Sequence, residues 1–217
     1  MTKIKICCIS SIQEAELAIK QGADAIGLVS EMPSGPGVID FETIVEISKA
    51  ITGKTDTFLL TSKRSVEEIV QQLKICRTST VQICDSLVEG TYDDIKSELP
   101  DVKVVQVIHV IDDDSVAEAI TAANTADALL LDSGNQKLAV KELGGTGRTH
   151  NWDLSKQIVE SVSVPVYLAG GLNPANVKSA VELVHPYGVD ICSGVRTGGK
   201  LDEEKLAEYI KIVKSCI

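Results

Sequence analysis

Aromatic side chains are nearly absent from this chain, 3% of 217 residues, so no core built on packed rings is open to it. The core must come from Ile, Val, Leu and Ala, the residues that fill parallel strands. A basic excess is missing too. The net charge is −10 with no basic run or aromatic–basic interleaving, which argues against nucleic acid or an anionic membrane as the main partner. The field of the whole chain repels an anionic substrate, so local backbone donors and a few cations must capture one. No charged n-region, long apolar segment or cleavage site stands before Lys3-Ile4-Lys5-Ile6, and a cytosolic protein is expected. The cysteines Cys7, Cys8, Cys76, Cys84, Cys192 and Cys216 show neither zinc-ribbon nor thioredoxin spacing and read as free thiols.

What is present is a repeated strand–helix rhythm. Strands are predicted near residues 3–9, 24–29, 56–61, 79–84, 103–109, 127–132, 164–169 and 188–193, each followed by a helical pattern such as Ser11–Gln21, Phe41–Ile51 or Ser65–Cys76. Two of the strand-to-strand spacings, after the second and sixth strands, are longer than a scaffold needs, and long loops in compact domains are usually functional. Three strands open on similar phrases, Gly22-Ala23-Asp24-Ala25-Ile26, Thr125-Ala126-Asp127-Ala128-Leu129 and Tyr187-Gly188-Val189-Asp190-Ile191. With no linker or low-complexity tract, the expectation is an α/β fold, one (β/α)8 barrel domain over residues 1–217. The helix faces carry no apolar stripe beyond what barrel packing uses.

In such a barrel the chemistry belongs at the C-terminal strand ends. The seventh predicted strand runs into Gly170-Gly171, with Asn173 and Pro174 as an expected N-cap and first helical residue. Glycines let a ligand reach backbone N–H groups, and an anion suits a nearby helix start, so a phosphate is the expected guest. The plain alternative is a pair of glycines that only shapes a turn. A second cup follows at Asp190-Ile191-Cys192-Ser193-Gly194-Val195. On the first strand Lys5 and Cys7 share a face, and an ammonium there would make the Cys7 thiol a usable base; otherwise Cys7 is an inert buried thiol beside a snorkelling lysine. The sixth strand ends its apolar run in Asp132, and an acid at an apolar mouth can serve as proton donor; a loop salt bridge or cap is the alternative. A base, an acid and a phosphate cup around one cavity suggest proton shuffling on a phosphorylated sugar.

These residues resemble the phosphoribosylanthranilate isomerase family of tryptophan biosynthesis over almost the whole chain. The resemblance rests on Lys5-Ile6-Cys7, Gly22 to Gly27, Val81-Gln82, Leu130-Leu131-Asp132-Ser133, Gly144-Gly145-Thr146-Gly147, Trp152, Gly170 to Pro174, and Val189-Asp190 with Ser193-Gly194-Val195. It implies an Amadori rearrangement of a phosphoribosyl amine, an aldose–ketose isomerisation. By this likeness Cys7 is the general base at sugar carbon 2 and Asp132 the general acid that opens the furanose ring. Gly170, Gly171, Ser193 and Gly194 match the phosphate site and Asp190 a substrate contact, with Gly145, Thr146 and Lys5 also taken as substrate or phosphate contacts. No metal or organic cofactor is implied.

The chain also departs from the family pattern. After the second strand the family usually has Ser-Pro-Arg, whose Arg holds the anthranilate carboxylate, whereas here the text is Pro33-Ser34-Gly35-Pro36-Gly37-Val38. Cys8 replaces a glycine, Cys84-Asp85 replaces His-Gly, His150-Asn151 replaces Phe-Asp, and Arg196 replaces a glutamate. Either Arg196 or Arg148 has taken over the carboxylate, with Arg196 preferred because it follows the phosphate cup, or the enzyme is a paralogue acting on another sugar phosphate. From a different class, Cys8, Cys84, Cys192 and His109 could gather around one metal ion. His109 and His150 are further pocket candidates.

Overall fold

The computed structural model describes residues 1–216. Eight parallel strands close into a barrel in chain order: β1 (Lys3–Ile6), β2 (Ala25–Val29), β3 (Asp56–Thr61), β4 (Thr80–Ile83), β5 (Lys103–His109), β6 (Ala128–Asp132), β7 (Val166–Leu168) and β8 (Gly188–Ile191). The helices between and after them are α1 (Ile12–Gln21), α2 (Phe41–Ala50), α3 (Val66–Cys76), α4 (Tyr92–Glu98), α5 (Asp114–Ala122), α6 (Trp152–Ser161), α7 (Val177–Val184) and α8 (Glu203–Ser215). None of the described helices is long and apolar enough to cross a membrane.

Local chemistry sets most helix starts. Ser11, Asp40, Ser65, Thr91 and Asp202 each accept a backbone N–H from the first turn of the helix they precede, a cap worth about 1 kcal/mol. The expected start of α7 is corrected. Asn173 Oδ1 accepts the N–H of Ala175 at 2.9 Å, as a cap would, but it caps only a separate turn, and the helix proper begins at Val177. Asn176 reaches back to the Asn173 N–H at 2.8 Å and to Gly171 O at 3.0 Å, which fastens that turn to the glycine pair instead of extending the helix.

Two apolar regions form. The larger lies between strands and helices and is Ile-, Val-, Leu- and Ala-rich, as the composition requires. The smaller fills the barrel interior and depends on two of the rare aromatics: Phe58 and Tyr167 meet edge to face with ring centroids 5.8 Å apart. The expectation of a core without rings therefore fails in both regions: Tyr209 of α8 is fully buried in the outer shell, and at the barrel's axis a narrow layer needs the bulk that a ring supplies. The loops after β2 and β6 are the long ones, and they meet over the C-terminal mouth, where Ser34 Oγ donates to Lys141 O at 2.7 Å.

Candidate active site

At that mouth lies a cavity of about 700 Å³ of open space, and Cys7, Asp132, Gly170, Gly171, Asp190 and Ser193 all line it. Gly145 and Thr146 line it as well, from the loop after β6.

The β1 end is held from behind. Cys7 N–H donates to Ile191 O at 2.8 Å, and the Arg196 guanidinium donates to Cys8 O at 2.6 Å and Cys7 O at 3.4 Å. Arg196 is itself fixed by Glu14, at 3.0 and 3.2 Å. Cys8 follows with φ of 60°, the left-handed region where glycine is the easy residue. The backbone there keeps the bend a glycine would allow, and the thiol points to Pro36 O at 3.7 Å.

Lys5 is fully buried one layer below, pairing with Asp190 at 3.0 Å and lying 5.1 Å from the Phe58 ring centroid. Burial opposes its charge, but Asp190 and then Cys7 outweigh that and hold the ammonium above the usual lysine range. Gly27 makes the arrangement possible: a Cβ there would sit 2.9 Å from Cys7 Sγ and 3.1 Å from Lys5 Nζ, so thiol and ammonium flank the same small gap.

Across the cavity, burial pushes the Asp132 carboxyl above the usual carboxylate range, with Asp190 adding to the rise; the Ser133 N–H, donating to Oδ1 at 2.7 Å, pulls the other way, as does His109. The balance leaves a carboxyl suited to hold a proton. The Ser133 hydroxyl meets Thr146 Oγ1 at 2.6 Å, which ties the long loop to the acid's strand end.

The glycine cups face the same space. Gly170 and Gly171 have φ of 79° and 62°, and a Cβ on Gly171 would come within 2.6 Å of the Arg148 carbonyl carbon. A Cβ on Gly194 would strike Leu172 O at 2.3 Å, so the loops after β7 and β8 pack as closely as backbone allows. Among the described residues the N–H groups of Gly170, Gly171 and Ser193, which line the cavity, and of Gly194, which adjoins Ser193, take no protein acceptor.

Three expected substrate or phosphate contacts do not line the cavity, and the first, Gly194, stands next to the lining residue Ser193. Lys5 does not line the cavity, because its ammonium is committed to Asp190 beneath the floor. Arg196 does not line it either; its two Nη nitrogens are committed to Glu14, Gly199 O and the Cys7–Cys8 carbonyls. Arg148 pairs with Glu142 on the surface. The four-ligand set also fails to converge: His109 Nε2 is held on Cys84 O at 3.0 Å while Cys8 turns to Pro36, and no group of three or more His, Cys, Asp or Glu suited to a metal forms among the described residues. His150 stands behind Gly170, bonded to Ser155 Oγ at 2.7 Å, with burial pushing its pKa down to about 4.

Other cavity residues carried no signal for a sequence reading to use. Gln82 lines the site and carries a buried Oε1 without a hydrogen-bond partner, and Leu60 and Leu143 give the site an apolar wall. An amide or a leucine inside a strand or loop has no spacing rule that marks it. Only the Val81-Gln82 pair within the family resemblance pointed to one of them.

The sequence model of N-(5'phosphoribosyl)anthranilate (PRA) isomerase matches residues 4–212. The chain is 34% identical over 217 residues to the N-(5'-phosphoribosyl)anthranilate isomerase of Aquifex aeolicus, covering 99% of this chain and 100% of the relative. It is 32% identical over 215 residues to that of Methanocella arvoryzae, covering 99% of each. A crystal structure of phosphoribosyl anthranilate isomerase with reduced 1-(o-carboxyphenylamino)-1-deoxyribulose 5-phosphate superposes with a TM-score of 0.78 at 25% identity, covering 99% of each chain. These names lend no support to a paralogue for another sugar phosphate. The chain belongs to the N-(5'-phosphoribosyl)anthranilate isomerase family.

Proposed function

We propose that this protein isomerises N-(5'-phosphoribosyl)anthranilate to 1-(o-carboxyphenylamino)-1-deoxyribulose 5-phosphate. The observation that carries the reading is that Cys7, Asp132 and the Gly170–Gly171 turn, from strands far apart in sequence, line one cavity.

The free amides of the last two loops hold the phosphate without a cationic side chain, which suits a chain of net charge −10. Asp132, whose carboxyl burial raises above the usual carboxylate range, gives its proton to the ring oxygen as the bond from sugar carbon 1 to that oxygen breaks and the amine nitrogen lone pair forms the iminium. Cys7 as thiolate then takes the proton from carbon 2, the electrons forming the enamine, which tautomerises to the ketose. The Lys5 ammonium beside the sulfur balances its negative charge and is itself balanced by Asp190. The proposal extends to the setting: one barrel domain over residues 1–217, in the cytosol, acting on a small phosphorylated substrate without metal or organic cofactor.

Purified protein given N-(5'-phosphoribosyl)anthranilate should form the ketose, and the gene should restore growth of a tryptophan auxotroph lacking this isomerase. Soluble protein that forms no ketose in vitro overturns the reading.

A further inference from the structure

An anthranilate-bearing substrate is charged at both ends, and only one end is provided for by the glycine cups. None of the residues that line the cavity is Lys or Arg, while Asp132 and Asp190 both line it. A carboxylate left unpartnered there would be strongly disfavoured. The cations near the mouth are mostly spent: Lys5 on Asp190, Arg196 on Glu14, Lys63 on Glu31 and Glu68, and Arg148 on Glu142. Arg148 also has its backbone against Gly171, on the phosphate side.

Two groups remain: the exposed Lys137 of the loop after β6, whose charge acts on Glu118 of α5, a residue outside the cavity lining, and one cationic cluster directly beside the cavity. Asp85, with its side chain 5% exposed, directly follows the cavity residue Cys84 and receives both Lys141 Nζ, at 2.5 Å, and Arg64 Nε, at 3.7 Å, on the same Oδ2. Arg64 Nε also donates to Ser86 O at 3.0 Å. Among the described residues the two Nη nitrogens of Arg64 have no partner. Two cations on one anion leave a net positive rim, and the free edge of a guanidinium is the shape that takes a carboxylate in two parallel bonds. The cluster is tied to the cavity wall twice more, through Leu143 two residues beyond Lys141 and through Ser34, whose Oγ donates to Lys141 O.

Topology supplies the second argument. Arg64 and Asp85 follow β3 and β4, which stand across the closed barrel from the glycine cups after β7 and β8. Cys7 after β1 and Asp132 on β6 stand between the two. A substrate anchored at both ends across that diameter presents its sugar carbons to the base and the acid, and lays its ring on the apolar side formed by Leu60 and Leu143.

Resting on the proposed isomerase reading, we propose that Arg64, seated with Lys141 on Asp85, binds the carboxylate of the substrate's aromatic ring and sets the preference for a carboxylated aglycone. The test is calorimetric titration of wild type, Arg64→Gln and Arg64→Lys with reduced 1-(o-carboxyphenylamino)-1-deoxyribulose 5-phosphate and with its analogue lacking the carboxyl group. Wild type should favour the carboxylated ligand, Arg64→Gln should bind that ligand about 30-fold more weakly, the low end for losing one partner of a desolvated charge pair, and the carboxyl-free ligand should be unaffected. Arg64→Lys should recover part of the loss, because charge is kept and the fork is not. The inference is overturned, with the isomerase reading intact, if Arg64→Gln binds the carboxylated ligand within about threefold of wild type, on a scale where tenfold is about 1.4 kcal/mol, or weakens both ligands equally. If wild type binds neither ligand, inference and isomerase reading fall together.

Discussion

Lys5 Nζ donates to Asp190 Oδ1 at 3.0 Å inside the barrel, from residues that are also register partners across the β1–β8 seam. With the two side chains 0% and 8% exposed, neither charge has water to fall back on. The pair places an ammonium next to the Cys7 thiol, and its partner Asp190 continues to the cavity surface. One ion pair thereby joins the closing seam of the fold to the proposed base.

Removing one partner should cost far more than removing both. Lys5→Met leaves Asp190 unpaired and is expected to lose about 3–5 kcal/mol in urea unfolding, and Asp190→Leu, which leaves Lys5 unpaired, to lose a similar amount. The double variant Lys5→Met, Asp190→Leu should recover most of that stability while remaining inactive. Additive losses in the cycle would contradict a coupled pair.

Cys7→Ala and Asp132→Asn should each lower kcat by about 10²–10⁴-fold, with Tm unchanged within a few degrees. Because the Asp132 carboxyl is raised and is needed in its protonated form, kcat should fall on the alkaline side as this group ionises. Residual activity of Asp132→Asn should lack that limb. A pH–rate profile of both proteins checks it.

Arg196→Ala should be a stability variant more than a binding variant. It frees Glu14 from its ion pair and the Cys7 and Cys8 carbonyls from their donor, at an expected cost of about 2–3 kcal/mol. KM should change less than threefold, whereas kcat should drop because the β1 end loosens. A KM rise without a stability loss would return Arg196 to the substrate.

His150 gives the fold an acid sensitivity of known sign. Its pKa lies near 4 when folded and near 6.5 when exposed on unfolding, so the unfolded chain takes up the proton first. Its contribution is complete above about pH 6.5, declines as pH falls toward 4, and is level below that, with a span on the order of 3 kcal/mol. His150→Phe should flatten stability in this window, measured as urea midpoints at closely spaced pH values.

Gly171→Ala combines backbone strain at φ of 62° with a clash at the Arg148 backbone. KM should rise at least about tenfold, and competitive inhibition by inorganic phosphate should weaken in step, since about 1.4 kcal/mol suffices. Gly147→Ala is the contrasting variant: its φ of 68° is similar but its Cβ meets open space, so it should change KM little.

The eight-strand rhythm, the helical patterns that begin near Ser11 and Ser65, the two long loops and the strand-end residues Cys7, Asp132 and Gly170–Gly171 were legible in the sequence. Each depends on local chemistry: a hydrophobic period, a cap, a glycine, a charge ending an apolar run. Side-chain commitments across the barrel were not legible, because they join residues with no fixed separation along the chain. Lys5 is spent on Asp190, 185 positions away, and Arg196 on Glu14, 182 positions away. Arg64 and Lys141 meet on Asp85 from three different loops. Sequence alone determined which groups are available and at which end of the strands they stand. Closure of the barrel decided which cations neutralise buried acids and which stay free, since a charge removed from water must find its partner wherever the fold places one.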